Sequence, residues 1–103
     1  MYFYIIQGPY RVGFGITSNH ERRAKDYTGA WGEIAVFDYI FEGPTPHIKR
    51  LENVIKTMHV NMLWCIDEWQ TEWLDNEWSV HDLNNFVIQI IQERHLQIKQ
   101  LSC

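Results

Sequence analysis

Three side chains spaced four residues apart, Asn19, Arg23 and Tyr27, could act together on a phosphate group. Residues at this spacing lie on one face of a helix. A guanidinium binds phosphate oxygens through paired hydrogen bonds, and a phenol can polarise or deprotonate a nucleophile. The alternative is a solvated helix whose tyrosine packs onto the neighbouring sheet.

Glu52 is a second residue with possible chemistry. It lies four residues after Ile48 and three before Ile55, so a helix places its carboxylate at the edge of an apolar stripe. A carboxylate that loses hydration there needs a partner. Mg²⁺ could be that partner, because it often binds one or two carboxylates together with water and substrate phosphate. The alternative is a salt bridge to a basic residue, namely Arg23, Lys49 or Lys56.

Gly13 and Gly15 precede the predicted start of the helix that carries Arg23. Backbone N–H groups at such a start can bind a phosphate. The three-glycine dinucleotide pattern is incomplete, because position 18 is Ser18, and a hairpin connection disfavours it further. The alternative is that the glycines relieve a bulge or turn.

Charge is unevenly distributed along the chain of 103 residues, whose net charge is −4. Residues 1–60 hold seven Lys/Arg against six Asp/Glu, and residues 61–103 hold two against seven. The negative total argues against non-specific coating of DNA, which needs many phosphate contacts. A local anion site remains open where basic residues cluster, at Arg11, Arg22, Arg23 and Lys25.

Composition predicts a soluble cytoplasmic protein. No apolar run approaches the roughly 20 residues that cross a bilayer, and the N-terminus lacks the features of a signal peptide. Cys65 and Cys103 have no metal-ligand spacing and fit a reducing compartment.

The elements that must position these residues follow from hydrophobic periodicity and capping signals. We predict strands over 2–7 and 10–16, a helix over 19–27 begun by Ser18 and Glu21, and a long central strand over 33–43. A helix over 47–62 follows a cap at Thr45, and one over 79–99 begins at Ser79. Residues 63–78 are expected to be irregular, with an extended piece near 71–74. This order predicts a single α+β domain over 1–103, with a small three-stranded antiparallel sheet flanked by helices and an extra C-terminal amphipathic helix.

Taken in order, these segments resemble the GIY-YIG nuclease domain over roughly residues 2–75. The resemblance is to its small stand-alone phage and bacterial members, which implies the cytoplasm of a bacterium, or of a host cell if a phage encodes the protein. The aromatic first strand has Tyr4 where the family has its first-motif tyrosine. The second strand and the next helix match the family's spacing at Gly15, Thr17, Asn19, Arg23 and Tyr27.

The later part of the resemblance rests on Leu51 and Glu52, which fit the metal-binding helix, and on residues 71–74, which are similar to a following Glu-Trp-Phe segment. The chain departs from the family at Gly13, where a tyrosine is expected and Tyr10 could substitute. It departs also at Tyr2, in place of a glycine, and the family's asparagine after the metal ligand has two candidates, Asn61 and Asn76.

The resemblance implies metal-dependent hydrolysis of a nucleic-acid phosphodiester, with DNA as the expected substrate. Glu52 would bind Mg²⁺ or Mn²⁺, and Arg23 would neutralise charge on the phosphoryl oxygens. Tyr4 or Tyr10 would take a proton from water, assisted by Tyr27. The substrate-binding residues implied are Gly15, Thr17, Asn19, Arg11, Arg22 and Lys25.

The competing hypothesis is a catalytically inactive binding or inhibitor module on the same fold. It would act through a protein partner, or a second copy, that contacts the tryptophan-rich acidic half or the C-terminal helix. The acidic residues concerned are Glu68, Glu72, Asp75 and Glu77. Geometry distinguishes the two hypotheses, because a nuclease needs Glu52, Arg23 and Tyr4 or Tyr10 around one cleft.

Overall fold

A computed structural model describes residues 1–58, 63–75 and 78–101. Several residues named above lie outside these ranges: Asn61, Asn76, Glu77 and Cys103. In chain order the described elements are β1 (Tyr2–Gln7), β2 (Val12–Thr17), α1 (His20–Trp31), β3 (Tyr39–Glu42), α2 (Thr45–Met58), β4 (Leu63–Ile66), β5 (Glu72–Leu74), α3 (Val80–Glu93) and β6 (Lys99–Gln100).

The described strands form one antiparallel sheet in the order β4-β5-β2-β1-β3-β6. The α+β class is therefore confirmed, and the sheet has six strands where the sequence predicted three. The three predicted strands occupy the middle of this order, and β5, β4 and β6 extend it at both edges.

Alternation along β1 divides the molecule into two layers. Phe3 and Ile5 face a core formed with α2 and α3, which also contains Phe14 of β2 and Ile48 of α2. Tyr4 and Ile6 face the opposite side, where they pack with buried Tyr27 of α1 and Trp73 of β5. The sheet thus separates α1 from α2 and α3.

The predicted strand over 33–43 is wrong in length and position. Only residues 39–42 form β3, and β1 and β2 hold the middle of the sheet. Gly32 ends α1 with φ 73°, and the Ala35 N–H then donates to Thr28 Oγ1 at 3.0 Å. These bonds keep the apolar Ile34 and Val36 on the surface, 85% and 69% exposed.

Helix boundaries follow the capping side chains. Asn19, one residue after the predicted cap Ser18, accepts from the Arg22 N–H at 3.1 Å, and α1 continues four residues beyond the predicted end. Ser79 caps α3 as predicted, accepting from the Asp82 N–H at 3.0 Å. The predicted end of α3 at 99 is wrong, because the helix ends at Glu93 and β6 follows.

The segment predicted to be irregular contains a hairpin, because Asp67 organises its turn. The Asp67 Oδ1 atom accepts from the N–H groups of Trp69 and Thr71, each at 3.0 Å. The Asp67 N–H donates to the Thr71 carbonyl at 3.1 Å. This closes β4 onto β5. Within the described ranges, no helix has the length and apolarity that a membrane crossing requires.

Candidate functional site

Four side chains from three separate parts of the chain meet between α1 and the sheet. Thr71 Oγ1 is hydrogen-bonded to the hydroxyls of both Tyr4 and Tyr27. The Tyr27 hydroxyl also lies 2.5 Å from Asp67 Oδ2, which accepts in addition from Trp73 Nε1 at 3.1 Å. Both phenols are buried.

The three hydroxyls of this network bond to one another and to two charged residues. The Tyr27 hydroxyl has one proton and two acceptors within reach, Asp67 Oδ2 and Thr71 Oγ1. Thr71 and Tyr4 are bonded to each other, and the Tyr4 oxygen also accepts from Arg23 Nη1 at 3.5 Å. Each of the three hydroxyls therefore has its hydrogen-bond partners inside the protein.

Both tyrosines hold their protons more tightly than a free tyrosine does. Burial raises the pKa of Tyr4 above its ordinary value of 10.0, against the lowering effects of Thr71 and Arg23. Burial also raises the pKa of Tyr27, and its hydrogen bond to Asp67 adds to the rise. Neither phenol is suited to accept a proton from water near neutral pH.

Arg23 is committed to the turn between β4 and β5. Its Nη1 donates to the Trp69 carbonyl at 2.6 Å, and its Nε lies 3.6 Å from Asp26 Oδ2. The predicted helical spacing of Arg23 and Tyr27 is correct. Both side chains point to the β4–β5 turn, which they hold against the sheet.

The two glycines of β2 make room for this network. A Cβ added at Gly15 would collide with the Tyr4 hydroxyl, and one at Gly13 would lie 2.7 Å from Trp73 Cε3. The register explains both contacts, because Gly15 pairs with Tyr4 and Gly13 pairs with Trp73. These glycines therefore serve close side-chain packing.

The other residues predicted to bind substrate lie around this network. Thr17 Oγ1 and the Asn19 backbone are bonded at 3.2 Å, at the start of α1. Arg11 Nη1 lies 3.2 Å from Asp75 Oδ1. Arg22 and Lys25 are exposed on α1, and Tyr10, in the β1–β2 turn, is 92% exposed.

Glu52 lies on the other side of the sheet. It belongs to α2, which packs with Phe3 and Phe14, whereas Tyr4 faces α1. The structure therefore brings Tyr4, Arg23 and Tyr27 together but does not bring Glu52 to them.

Glu52 belongs instead to a second charged cluster, with Lys56 and Glu72. Lys56 Nζ lies 3.6 Å from Glu52 Oε1 and 2.7 Å from Glu72 Oε1. The Glu72 side chain is 2% exposed, and its Oε2 has no hydrogen-bond partner in the described part of the chain. Of the alternatives for Glu52, the structure contains the salt bridge to Lys56.

The chemistry of this cluster does not fit a resident divalent cation. The Lys56 ammonium lies between the two carboxylates, at the place where a cation would have to bind both. Burial would lower the pKa of Lys56, but its bond to Glu72 and the charge of Glu52 raise it above 10.5. The lysine therefore stays charged and neutralises the pair. The described ranges contain no group of three or more His, Cys, Asp or Glu able to hold a metal ion.

An aromatic groove opens beside the buried network. Its volume is about 330 Å³, and its lining includes Tyr10, Tyr27, Trp31, Trp69 and Trp73, together with Gly8, Pro9, Arg11, Cys65 and Asp67. Tyr27 stands at its base, with ring centroids 5.0 Å from Trp31 and 4.8 Å from Trp69.

The apolar surface extends beyond this groove, because further apolar side chains lie next to it. A second depression of about 260 Å³ shares Gly8, Pro9 and Trp31 with it and reaches Ile34 and Val36. Surfaces of this kind mark interaction sites. We call Tyr10, Trp31, Trp69 and Trp73 the aromatic groove.

Sequence reasoning missed Asp67 as the organising residue of this site. An Asp four residues before Thr71, with Trp69 between them, is compatible with a side-chain-capped turn, and this signal was available. Glu72 was expected among the acidic residues facing a partner, but it is buried against Lys56. The pairing of Tyr4 with Thr71 spans 67 positions and has no local signal.

Comparison of the chain with family models, with curated proteins and with solved structures gave no match in any of the three.

Proposed function

We propose that this chain is a protein-interaction module that binds an extended, proline-rich segment of a partner protein. The observation that carries the proposal is the aromatic groove, a surface lined by one tyrosine and three tryptophans beside the buried Tyr27. Grooves lined by aromatic rings bind proline-rich segments because these segments are already extended and lose little entropy.

Hydrogen-bond chemistry supports this partner. A polyproline helix has no internal hydrogen bonds, so all its carbonyls need donors. The Trp73 indole N–H is used by Asp67. The indoles of Trp31 and Trp69 contact neighbouring rings. Within the described ranges their N–H groups make no hydrogen bond and are not buried, so they can donate to a bound backbone.

The buried network gives the groove a fixed shape. Arg23 binds the Trp69 carbonyl and Asp67 binds the Trp69 N–H, so both backbone groups of this residue are held. Tyr27 and Trp73 are attached to the same carboxylate. A groove that is ordered before binding loses less entropy when the partner binds, which favours affinity.

The resemblance to the GIY-YIG domain is compatible with this role as a scaffold that binds without hydrolysis. Each motif residue has a structural contact: Gly15 accommodates Tyr4, Asn19 caps α1, and Arg23 holds the β4–β5 turn. Glu52 is separated from them by the sheet. Nuclease activity remains a prediction of the sequence, and this separation argues against it.

The proposal is tested by fluorescence anisotropy with a labelled decaproline peptide and a glycine-serine peptide of equal length. We expect saturable binding of decaproline and none of the control. Trp69→Ala and Tyr10→Ala should each weaken binding about tenfold or more, as loss of an aromatic anchor does. Met58→Ala, which removes an exposed apolar side chain from the opposite side of the sheet, should not.

Three results would overturn the proposal. The first is no binding of decaproline by a folded protein, or binding that Trp69→Ala does not weaken. The second is cleavage of plasmid DNA in MgCl₂ or MnCl₂ that disappears in both Arg23→Ala and Glu52→Ala, which would establish the nuclease. The third is dimerisation that Trp69→Ala abolishes, which would assign the groove to a second copy of the chain and would contradict the proposed binding of a proline-rich segment.

A further inference from the structure

A basic groove lies on the side of the molecule opposite the aromatic groove. It has a volume of about 890 Å³ and runs between α2 and the residues that follow α3. Its cationic residues are Lys49, Arg50 and Arg94, and the imidazoles of His47 and His95 lie among them. No Asp or Glu is among its described lining residues, although the chain as a whole carries a net charge of −4. We call this surface the basic groove.

The end of α3 builds one wall of the basic groove. Arg94 caps the helix, and His95 has a positive φ of 53° that turns the chain back towards α2. The Gln97 N–H then donates to His47 Nδ1 at 2.9 Å, which ties the two walls together. The folded backbone therefore fixes the position of both walls, and flexible side chains line them.

The cations of this groove form no direct ion pair within the described residues, since none of those pairs involves Lys49, Arg50 or Arg94. The Lys49 charge acts on Glu52 only at longer range. Clustered like charges repel one another and contribute nothing to stability by themselves. Their local field attracts an anionic ligand and accelerates its association.

The floor of the groove defines which anion fits. Between the cations lie Pro46, Val54, Met58 and Leu96, and the Met58 side chain is 57% exposed. Aliphatic side chains and a thioether pack against leucine or phenylalanine of a peptide. Single-stranded nucleic acid, by contrast, is bound by aromatic rings that stack on bases, and none lines this groove apart from the two imidazoles.

We propose that the basic groove binds an acidic, amphipathic segment of a partner protein. Carboxylates of the segment would pair with Arg50 and Arg94, and its apolar side chains would cover Met58. An amphipathic helix that places its apolar face in a groove is one common form of such binding. This surface is separated by the sheet from the aromatic groove, so the inference does not depend on the decaproline result.

The experiment measures fluorescence anisotropy with three labelled probes of equal net charge. These are a peptide of Asp and Glu interspersed with Leu and Phe, a peptide of Asp and Glu interspersed with Gly and Ser, and a single-stranded oligonucleotide. We expect the first probe to bind most tightly and to lose affinity as salt is raised.

Variants locate the binding site. The double variant Arg50→Glu with Arg94→Glu should weaken binding of the first probe by about tenfold or more, and Met58→Ser should weaken it to a smaller degree. Lys99→Glu, a single charge reversal at an exposed lysine outside the groove lining, should not change it. Circular dichroism confirms that each variant is folded.

The proposal is overturned if the first probe fails to bind the folded protein at low salt. It is overturned equally if the Gly-Ser probe binds as tightly, since the apolar floor would then have no role. Tighter binding of the oligonucleotide, sensitive to Arg50→Glu with Arg94→Glu, would assign the groove to nucleic acid instead.

Discussion

Lys56 forms ion pairs with two carboxylates that are far apart in sequence, Glu52 and Glu72. Its charge offsets most of the electrostatic cost of burying Glu72. Glu72 faces the α2 side of the sheet, because it pairs with Phe14 in the strand register. One of its oxygens contacts Lys56 Nζ at 2.7 Å and the other has no partner among the described residues. A buried carboxylate with one partner is sensitive to the loss of that partner.

Replacing Lys56 by methionine should therefore destabilise the protein. The Lys56→Met variant leaves the Glu72 carboxylate buried without a counterion, which typically costs about 3–5 kcal/mol. We expect the lower end of that range, because the lysine side chain is 35% exposed and water can reach its place. The free energy of unfolding is measured by urea denaturation.

Two controls accompany this measurement. Adding Glu72→Leu to Lys56→Met should recover most of the lost stability, because an apolar pair replaces an ion pair. Lys49→Met removes an exposed lysine from the same helix and should change stability by no more than about 0.5 kcal/mol. Equal stability of Lys56→Met and the wild type would show that Glu72 does not depend on the lysine.

Glu52 gives the same cluster a pH dependence. Burial raises the pKa of Glu52 above 4.5; Lys56 opposes this rise, and the Glu72 charge adds to it. The folded state thus binds this proton more tightly than the unfolded state. The resulting stabilisation is complete below pH 4.5 and is lost as pH rises through the raised pKa of Glu52.

Glu52→Gln should remove this contribution. We expect the difference in unfolding free energy between wild type and variant to change with pH above 4.5, with the variant gaining relative stability as pH rises. Urea denaturation at a series of pH values from below 4.5 to neutral measures it. Glu33→Gln, at an exposed glutamate, is the control. A difference in unfolding free energy between wild type and Glu52→Gln that stays constant with pH would refute the prediction.

At the scale of elements, the close packing of β2 against β5 requires a glycine opposite a tryptophan. Gly13 pairs with Trp73, and the absence of a side chain at Gly13 lets the indole lie over the strand. The tyrosine expected here from the family pattern would need the space that Trp73 and Thr71 occupy. Gly13 is therefore part of the packing that forms the aromatic groove.

Two glycine-to-alanine substitutions should change the stability of the protein in opposite directions. In Gly13→Ala the new Cβ lies 2.7 Å from Trp73 Cε3 and 2.9 Å from Thr71 Cγ2, so the variant should lose about 1–3 kcal/mol through overpacking. In Gly29→Ala no atom lies within 4 Å, and an interior position of α1 should gain about 0.5–1 kcal/mol. Thermal denaturation of both variants measures these changes, and a stabilised Gly13→Ala would contradict the packing described.

Elements with local signals could be predicted from the sequence. Ser79 three residues before Asp82 correctly places the start of α3. The predicted buried stripe of α2 is correct at Ile48, Leu51 and Ile55 and wrong at Met58, which is 57% exposed; its last member, Met62, lies outside the described residues. The prediction of a strand over 33–43 failed because it rested on the β-propensity of a run rich in Val, Ile, Phe and Tyr, whereas Thr28 and Gly32 determine the actual path.

The candidate site could be predicted only in part, for a related reason. The helical spacing of Arg23 and Tyr27 is local and was correct, but their partners Trp69, Asp67 and Thr71 lie at least 40 positions away. Nothing near Glu52 indicates which face of the sheet α2 covers. Tertiary packing decides these contacts, and a single sequence carries little information about it.

At the scale of the whole molecule, the sheet carries two surfaces of different chemistry on opposite sides. The aromatic groove lies with α1, and the basic groove lies between α2 and the end of α3. Since no described residue lines both, partners could occupy them together. A chain of this kind can bring two proteins together, and the gain in effective concentration depends on how the two partners are linked.

The pairing of β3 with β6 has a consequence for aggregation. Only two residues form β6, yet they align with Phe41 and Glu42, and the Leu101 N–H donates to the Ile40 carbonyl at 2.8 Å. This short segment occupies backbone groups that an uncovered β3 would offer to another chain as a template. Detachment of β6 would therefore expose the edge of β3 to pairing with a strand of another chain.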